Sequence, residues 1–205
     1  MDARETILNS IRRTARNPAA AGVRARPRRA DWESNLVARF KGRAEALAST
    51  VIGPVARAQV SSQVAEYLKQ HQLPMQAVCW SAVSRLDWNS AGIAVEARAA
   101  KGGDLVGITE TFCAIADTGT LMLLSGPDTP ATVSLLPETH IAVVPVGRIV
   151  ARMEDAWELV RREHGGLPRA VNFVSGPSRT ADIEQTVTLG AHGPYRVLIV
   201  LVDNG

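Results

Sequence analysis

Cysteine is almost missing from this 205-residue sequence, which has only Cys79 and Cys113. They lie far apart, so no CxxC pair exists and the chain by itself has no iron–sulfur or zinc cassette. Long apolar runs are missing too. No stretch approaches the roughly eighteen residues of a spanning helix. The N-terminal MDARETILNS has no apolar core and so does not read as a secretory signal. The expectation is a soluble cytoplasmic protein with reduced thiols. Other absences exclude common enzyme classes. There is no HExxH or HxH metal spacing, no GxSxG elbow, no GxxxxGK[ST] loop and no GxGxxG.

What remains is a normal globular balance, 46% apolar and 21% charged, in a length suited to one α/β domain with an added arm. The charge is uneven. Residues 1–50 hold eleven Arg/Lys against five acids, a net +6, which leaves −3 for residues 51–205 of a chain whose total is +3. Arg24, Arg26, Arg28 and Arg29 surround Pro27 in a segment with little apolar content. It reads as a docking arm for an acidic partner or as a solvated linker. No aromatic residues interleave with these arginines, which disfavours nucleic acid as the partner.

Apolar spacing predicts a short helix over 3–15 (Ile7, Leu8, Ile11, Ala15), an irregular connector over 17–30, and a second helix at about 31–49 (Trp32, Leu36, Phe40, Ala44, Leu47). These form an N-terminal helical arm, 1–50, ahead of an α/β domain, 51–205. In that domain a helix is expected at about 56–71. Strands are expected at Met75–Trp80 and Gly92–Ala97, and Ile108–Ala116 fits either a short helix or an extended segment. Thr120–Ser125, Ile141–Val146 and Arg196–Val202 are apolar throughout, the pattern of strands covered on both faces. A helix at about 152–163, a strand at 170–174 and a helix at about 180–188 complete the alternation. The expected fold is α/β, doubly wound, with a mostly parallel sheet.

In such a sheet, ligands bind beyond the carboxyl ends of the strands, so the loops after strands are the candidate sites. Asp117-Thr118-Gly119-Thr120 puts an acid, hydroxyls and a glycine in one tight turn. Asp117 suits acid/base chemistry or a substrate hydroxyl, or it closes an ordinary Asx turn. The second segment, Gly176, Ser178, Thr180, Asp182 and Glu184 with Arg179, follows a predicted strand and opens a predicted helix, a place for an anion or only a cap. Ser125-Gly126-Pro127-Asp128-Thr129-Pro130 is a third turn that could wall the same pocket. His71 and His164 read as surface and helix-end residues, while His140 and His192 flank predicted strands and could reach a pocket.

AIADTGTLMLLSG (114–126), LLPETHIAVVP (135–145) and SGPSRTADIEQTVTLGAHGP (175–194) resemble the LUD-domain family, in its lactate utilization protein C branch. The blocks fall in order over about 106–203, and Asp117-Thr118-Gly119-Thr120 keeps the family's acid–hydroxyl–glycine–hydroxyl turn. The resemblance implies a sugar-isomerase/CoA-transferase-like α/β fold. It further implies a role in oxidising L-lactate to pyruvate beside partner proteins that carry the iron–sulfur clusters, this chain having no cofactor of its own. The chain would then be an accessory or substrate-binding subunit taking a small carboxylate or other anionic metabolite, and a homo-oligomer is compatible with it. The competing reading is a stand-alone enzyme on that scaffold, with Asp117 as acid/base. A CoA-transferase version wants a nucleophilic glutamate, for which Glu110 is the nearest candidate, and nothing in its sequence context marks it as activated.

Overall fold

The structure is a computed structural model that describes residues 3–15, 35–180, 188–189 and 193–203. It divides into two units, 1–31 and 32–205. The first holds helix α1 (Ala3–Ala15), on which Ile7 and Leu8 are exposed. The second holds both larger sheets.

Six parallel strands form its main sheet: β1 (Thr50–Val55), β2 (Gln76–Cys79), β3 (Ala94–Ala97), β4 (Val106–Glu110), β7 (Thr139–Pro145) and β12 (Arg196–Val202). Their order is β1-β12-β7-β4-β2-β3. The apolar runs of β7 and β12 sit at its centre, where both faces are covered, as their composition requires. Side-chain alternation divides them between two cores. Ile141, Val143, Leu198, Val200 and Val202 join the cluster under α3 (Val60–Gln70), whereas Ala142, Val144, Val197, Ile199 and Leu201 join Phe40 and Ala44 of α2 (Leu36–Ala46). Helix α3 forms because Val60, Val64, Tyr67 and Leu68 recur at helical spacing and bury one stripe. Helix α2 starts where Asn35 Oδ1 accepts the Ala38 N–H at 2.9 Å.

A second sheet lies beyond α2's side of the first. Its order is β8 (Ile149–Val150), β5 (Cys113–Ile115), β6 (Thr120–Leu124), β9 (Val171–Val174). Here the expectation of a parallel strand for Thr120–Ser125 is corrected: β6 runs antiparallel to both β5 and β9. The turn between Ile115 and Thr120 is too short for the crossover that parallel strands need. Full burial of β6 has another cause. Leu121 faces the main sheet with Ala114 and Ala116, while Met122 and Leu124 face helix α5 (Met153–His164) with Cys113 and Ile115. The ambiguous stretch 108–116 resolves into β4, a bend and β5, and the short α4 (Thr132–Leu135) lies between β6 and β7. The helix expected over 180–188 is corrected at its ends, where β10 (Arg179–Thr180) pairs antiparallel with β11 (Thr188–Leu189). Residues 181–187 lie outside the described residues.

Candidate functional site

Helix α2 is the element on which the two principal candidate segments meet. Positions 39, 43 and 47 fall at i, i+4 and i+8 and so share one helix face. Arg39 donates from Nη2 to Asp117 Oδ1 at 2.6 Å. One turn on, Gly119 packs so tightly against the helix that a Cβ there would stand 2.5 Å from Ala44 N and 2.6 Å from Arg43 C. At the helix end, a Cβ on Gly176 would stand 2.1 Å from Leu47 O. Both glycines also have left-handed φ, +67° and +80°, which an L side chain rarely adopts. The segments touch each other as well: the Thr120 and Ser175 hydroxyls are 2.8 Å apart.

The structure therefore brings Asp117, Gly119, Thr120 and Gly176 together, with Thr118 exposed at the turn. Ser178 is held by its backbone N–H, which donates to Pro194 O at 2.8 Å, and Arg179 Nη2 reaches Leu47 O at 3.5 Å. Asp182, Glu184 and His192 lie outside the described residues, as does the side chain of Thr180. The third turn goes elsewhere. Ser125 pairs with Ala170 before β9 begins, Ser175 follows that strand's end, and Asp128 and Pro130 accept from Ser81 Oγ and Trp80 Nε1 beyond β2.

The edge on which this happens differs from the expected one. Pro194 lies two residues before β12, and the Tyr195 and Arg196 N–H groups both donate to Glu138 O just before β7. The 176–178 segment thus lies at the amino ends of the central strands. Strands β5 and β9, which lead into the candidate turns, belong to the smaller sheet, so the carboxyl-end rule does not govern them. Glu110 is at the carboxyl edge, 3.4 Å from Arg57.

Two histidines resolve plainly. His164 closes α5, its ring 5.4 Å from that of Phe112. His140 is fully buried in β7, with Nε2 2.9 Å from Thr109 Oγ1, and burial pushes its pKa down to about 4, so the ring is neutral. Both thiols are buried, and burial pushes Cys79 up to about 11 and Cys113 to about 12. Among the described residues no group of His, Cys, Asp and Glu is placed to hold a metal. No helix among them is long and apolar enough to cross a membrane.

Residue reading missed Arg39, counted with the basic arm, and Ser175, left out of the binding set. A signal for Arg39 existed: it lies on the apolar-striped helix three positions after Leu36, not in the Arg-rich connector.

A family model described as the LUD domain matches residues 2–202. Among similar proteins, lactate utilization protein C 1 of Bacillus mycoides is 44% identical over 108 residues, 51% of this chain and 46% of that protein. Lactate utilization protein C of Bacillus subtilis is 40% identical over 102 residues, 48% of this chain and 42% of that one. The matched stretch thus spans less than half the length of these relatives. A crystal structure of a DUF162 family protein from Deinococcus radiodurans superposes with a TM-score of 0.62 at 22% identity, covering 82% of this chain and 96% of that one, a likeness of fold.

Proposed function

The chain belongs to the LUD domain family, and on that footing we propose that it serves L-lactate utilisation as an accessory, substrate-binding subunit of an iron–sulfur system oxidising L-lactate to pyruvate. Kinship with relatives named lactate utilization protein C, at about 40% identity, is the observation that carries this reading. Two cysteines are too few for the thiolate set of an iron–sulfur cluster, so in this reading the electron-carrying centres belong to partner proteins.

The substrate surface in this proposal is the ledge along α2 with Asp117, Thr118, Gly119, Thr120, Gly176 and Ser178; Thr180, Asp182 and Glu184 belong to the proposed set from the sequence alone. The geometry supports it by joining two hydroxyl-bearing segments through the Thr120–Ser175 contact. In this reading Asp117 has a different task from a free base. Held by Arg39 at 2.6 Å, its carboxylate pins the turn to the helix and so positions the neighbouring hydroxyls. A small carboxylate such as L-lactate or pyruvate is the ligand class.

The test pairs a tagged full-length chain, captured from cells grown on lactate, with calorimetric titration of L-lactate and pyruvate. Co-capture of cysteine-rich iron–sulfur proteins and specific carboxylate binding are expected. Turnover by the isolated chain without partners would favour the stand-alone enzyme. Intact growth on lactate after deletion, with no such partner captured, would end the reading.

A further inference from the structure

We infer that Arg196 and Thr139 form a binding site for a small oxyanion, a carboxylate or phosphate group, at the amino ends of β12 and β7. The two residues are register partners on adjacent strands. Strand alternation puts them on one face, because residues 141, 143, 198, 200 and 202 of the same parity all join the core under α3. The site is therefore on the opposite side of the sheet from the α2 ledge, and it does not rest on the lactate reading.

Both side chains present unused donors. Thr139 is fully buried, and its hydroxyl has no hydrogen-bond partner. Arg196 Nη1 is likewise buried with no acceptor. A guanidinium N–H withdrawn from water and left unpaired costs free energy that a hydrogen-bonding anion recovers. No ion pair of Arg196 occurs among the described residues.

The neighbours explain why the guanidinium has stayed available and what fits it. Glu138 is one residue from Thr139, but its carboxylate accepts the Tyr195 hydroxyl at 2.5 Å. Tyr195 meanwhile stacks its ring 4.4 Å from the guanidinium carbon, holding the fork in place. Tyr67 of α3 is close enough to feel the Arg196 charge. Glu66, on the same helix, lines a shallow cleft with Gln63, Tyr67 and Gln70 and accepts from Gln70 Nε2 at 3.2 Å. Glu138, next to Thr139 in the chain, repels a large polyanion, so the ligand is small. The planar fork of Arg196 would meet two of its oxygens, and the Thr139 hydroxyl would donate to another.

The full chain is titrated with sodium phosphate and sodium acetate against sodium chloride at matched ionic strength, by calorimetry and thermal shift. Phosphate or acetate is expected to raise the melting temperature beyond chloride, since a ligand of the native state stabilises it. The tighter of the two identifies the source of the oxyanion. Arg196→Gln should weaken binding about tenfold, the scale of one charged hydrogen bond. Thr139→Val should weaken it about fivefold while the free protein melts no lower, because it removes an orphan hydroxyl without changing shape. Lys69→Gln, which removes a cation from α3 elsewhere, should leave affinity within about twofold. A response no larger than chloride's, or variants at 196 and 139 that titrate like the parent, would overturn the site. If Arg196→Gln does not fold, Thr139→Val decides.

Discussion

The two edges of the main sheet treat their polar groups in opposite ways. At the carboxyl edge they are spent on one another. Arg57 meets Glu110, Arg148 donates to Phe112 O and to both Glu163 oxygens, Ser81 meets Asp128, and the buried Thr111 hydroxyl lies within hydrogen-bonding distance of Cys113 O and Met122 O. At the amino edge, Ser49 Oγ, Thr139 Oγ1, His140 Nδ1 and Arg196 Nη1 are all buried without a partner. Buried polar atoms are nearly always paired, so an edge that concentrates exceptions is where water or a ligand belongs. The carboxyl edge, where open parallel sheets usually take ligands, is here lined by its own ion pairs.

The sharpest way to break this contrast is at the glycines that bind the loops to α2. Gly176→Ala puts a methyl on Leu47 O and forces a left-handed backbone on an L residue. A loss of about 3 kcal/mol is expected, read as a fall in melting temperature of roughly 6–12 °C for a chain of this size. A shift within error would mean that the loop is not seated on the helix.

Next comes His140. Its folded pKa, about 4, is below that of the unfolded chain, so the unfolded state binds the extra proton. The stability it confers is complete above about pH 6.5 and is lost as pH falls toward 4, about 3 kcal/mol in all. Denaturant titrations across that window should show a slope that His140→Leu lacks, and an unchanged slope would mean the ring titrates in the fold. Breaking the half-exposed Arg39–Asp117 pair with Asp117→Asn should cost under about 1 kcal/mol by the same titration. A larger loss would make that pair the main fastening of the turn. The smallest effect is at the thiols. With Cys79 and Cys113 pushed up to about 11 and 12, a maleimide at pH 7 should label the native chain hardly at all and the unfolded chain at both. Native labelling would show an opening of the core.

Much of the fold was legible in the residues. The centre of the sheet could be read from IAVVPV and RVLIVLV, because only strands covered on both faces tolerate such runs. The same logic misplaced TLMLLS: two-sided burial arises equally between a sheet and α5, and composition does not distinguish the two. Strand β1 (TVIGPV) escaped notice because Gly53-Pro54 interrupts it and reads as a turn. The candidate turns were legible as turns, and their pairing was not. It depends on Arg39, Ala44 and Leu47, residues about 70 to 130 positions away along the chain, whose helix resembled part of an arm. The orphaned atoms at Thr139, His140 and Arg196 carry no sequence signal at all, since a missing partner exists only in three dimensions.

One measurement tests the amino edge most directly: a crystal structure of the full chain grown with millimolar pyruvate and phosphate. Ligand density is expected at the starts of β7 and β12, against the α2 ledge beside Ser175 and Ser178 or against Arg196 and Thr139. Density at the opposite edge, displacing Arg57 from Glu110, with the amino edge holding none, would contradict it.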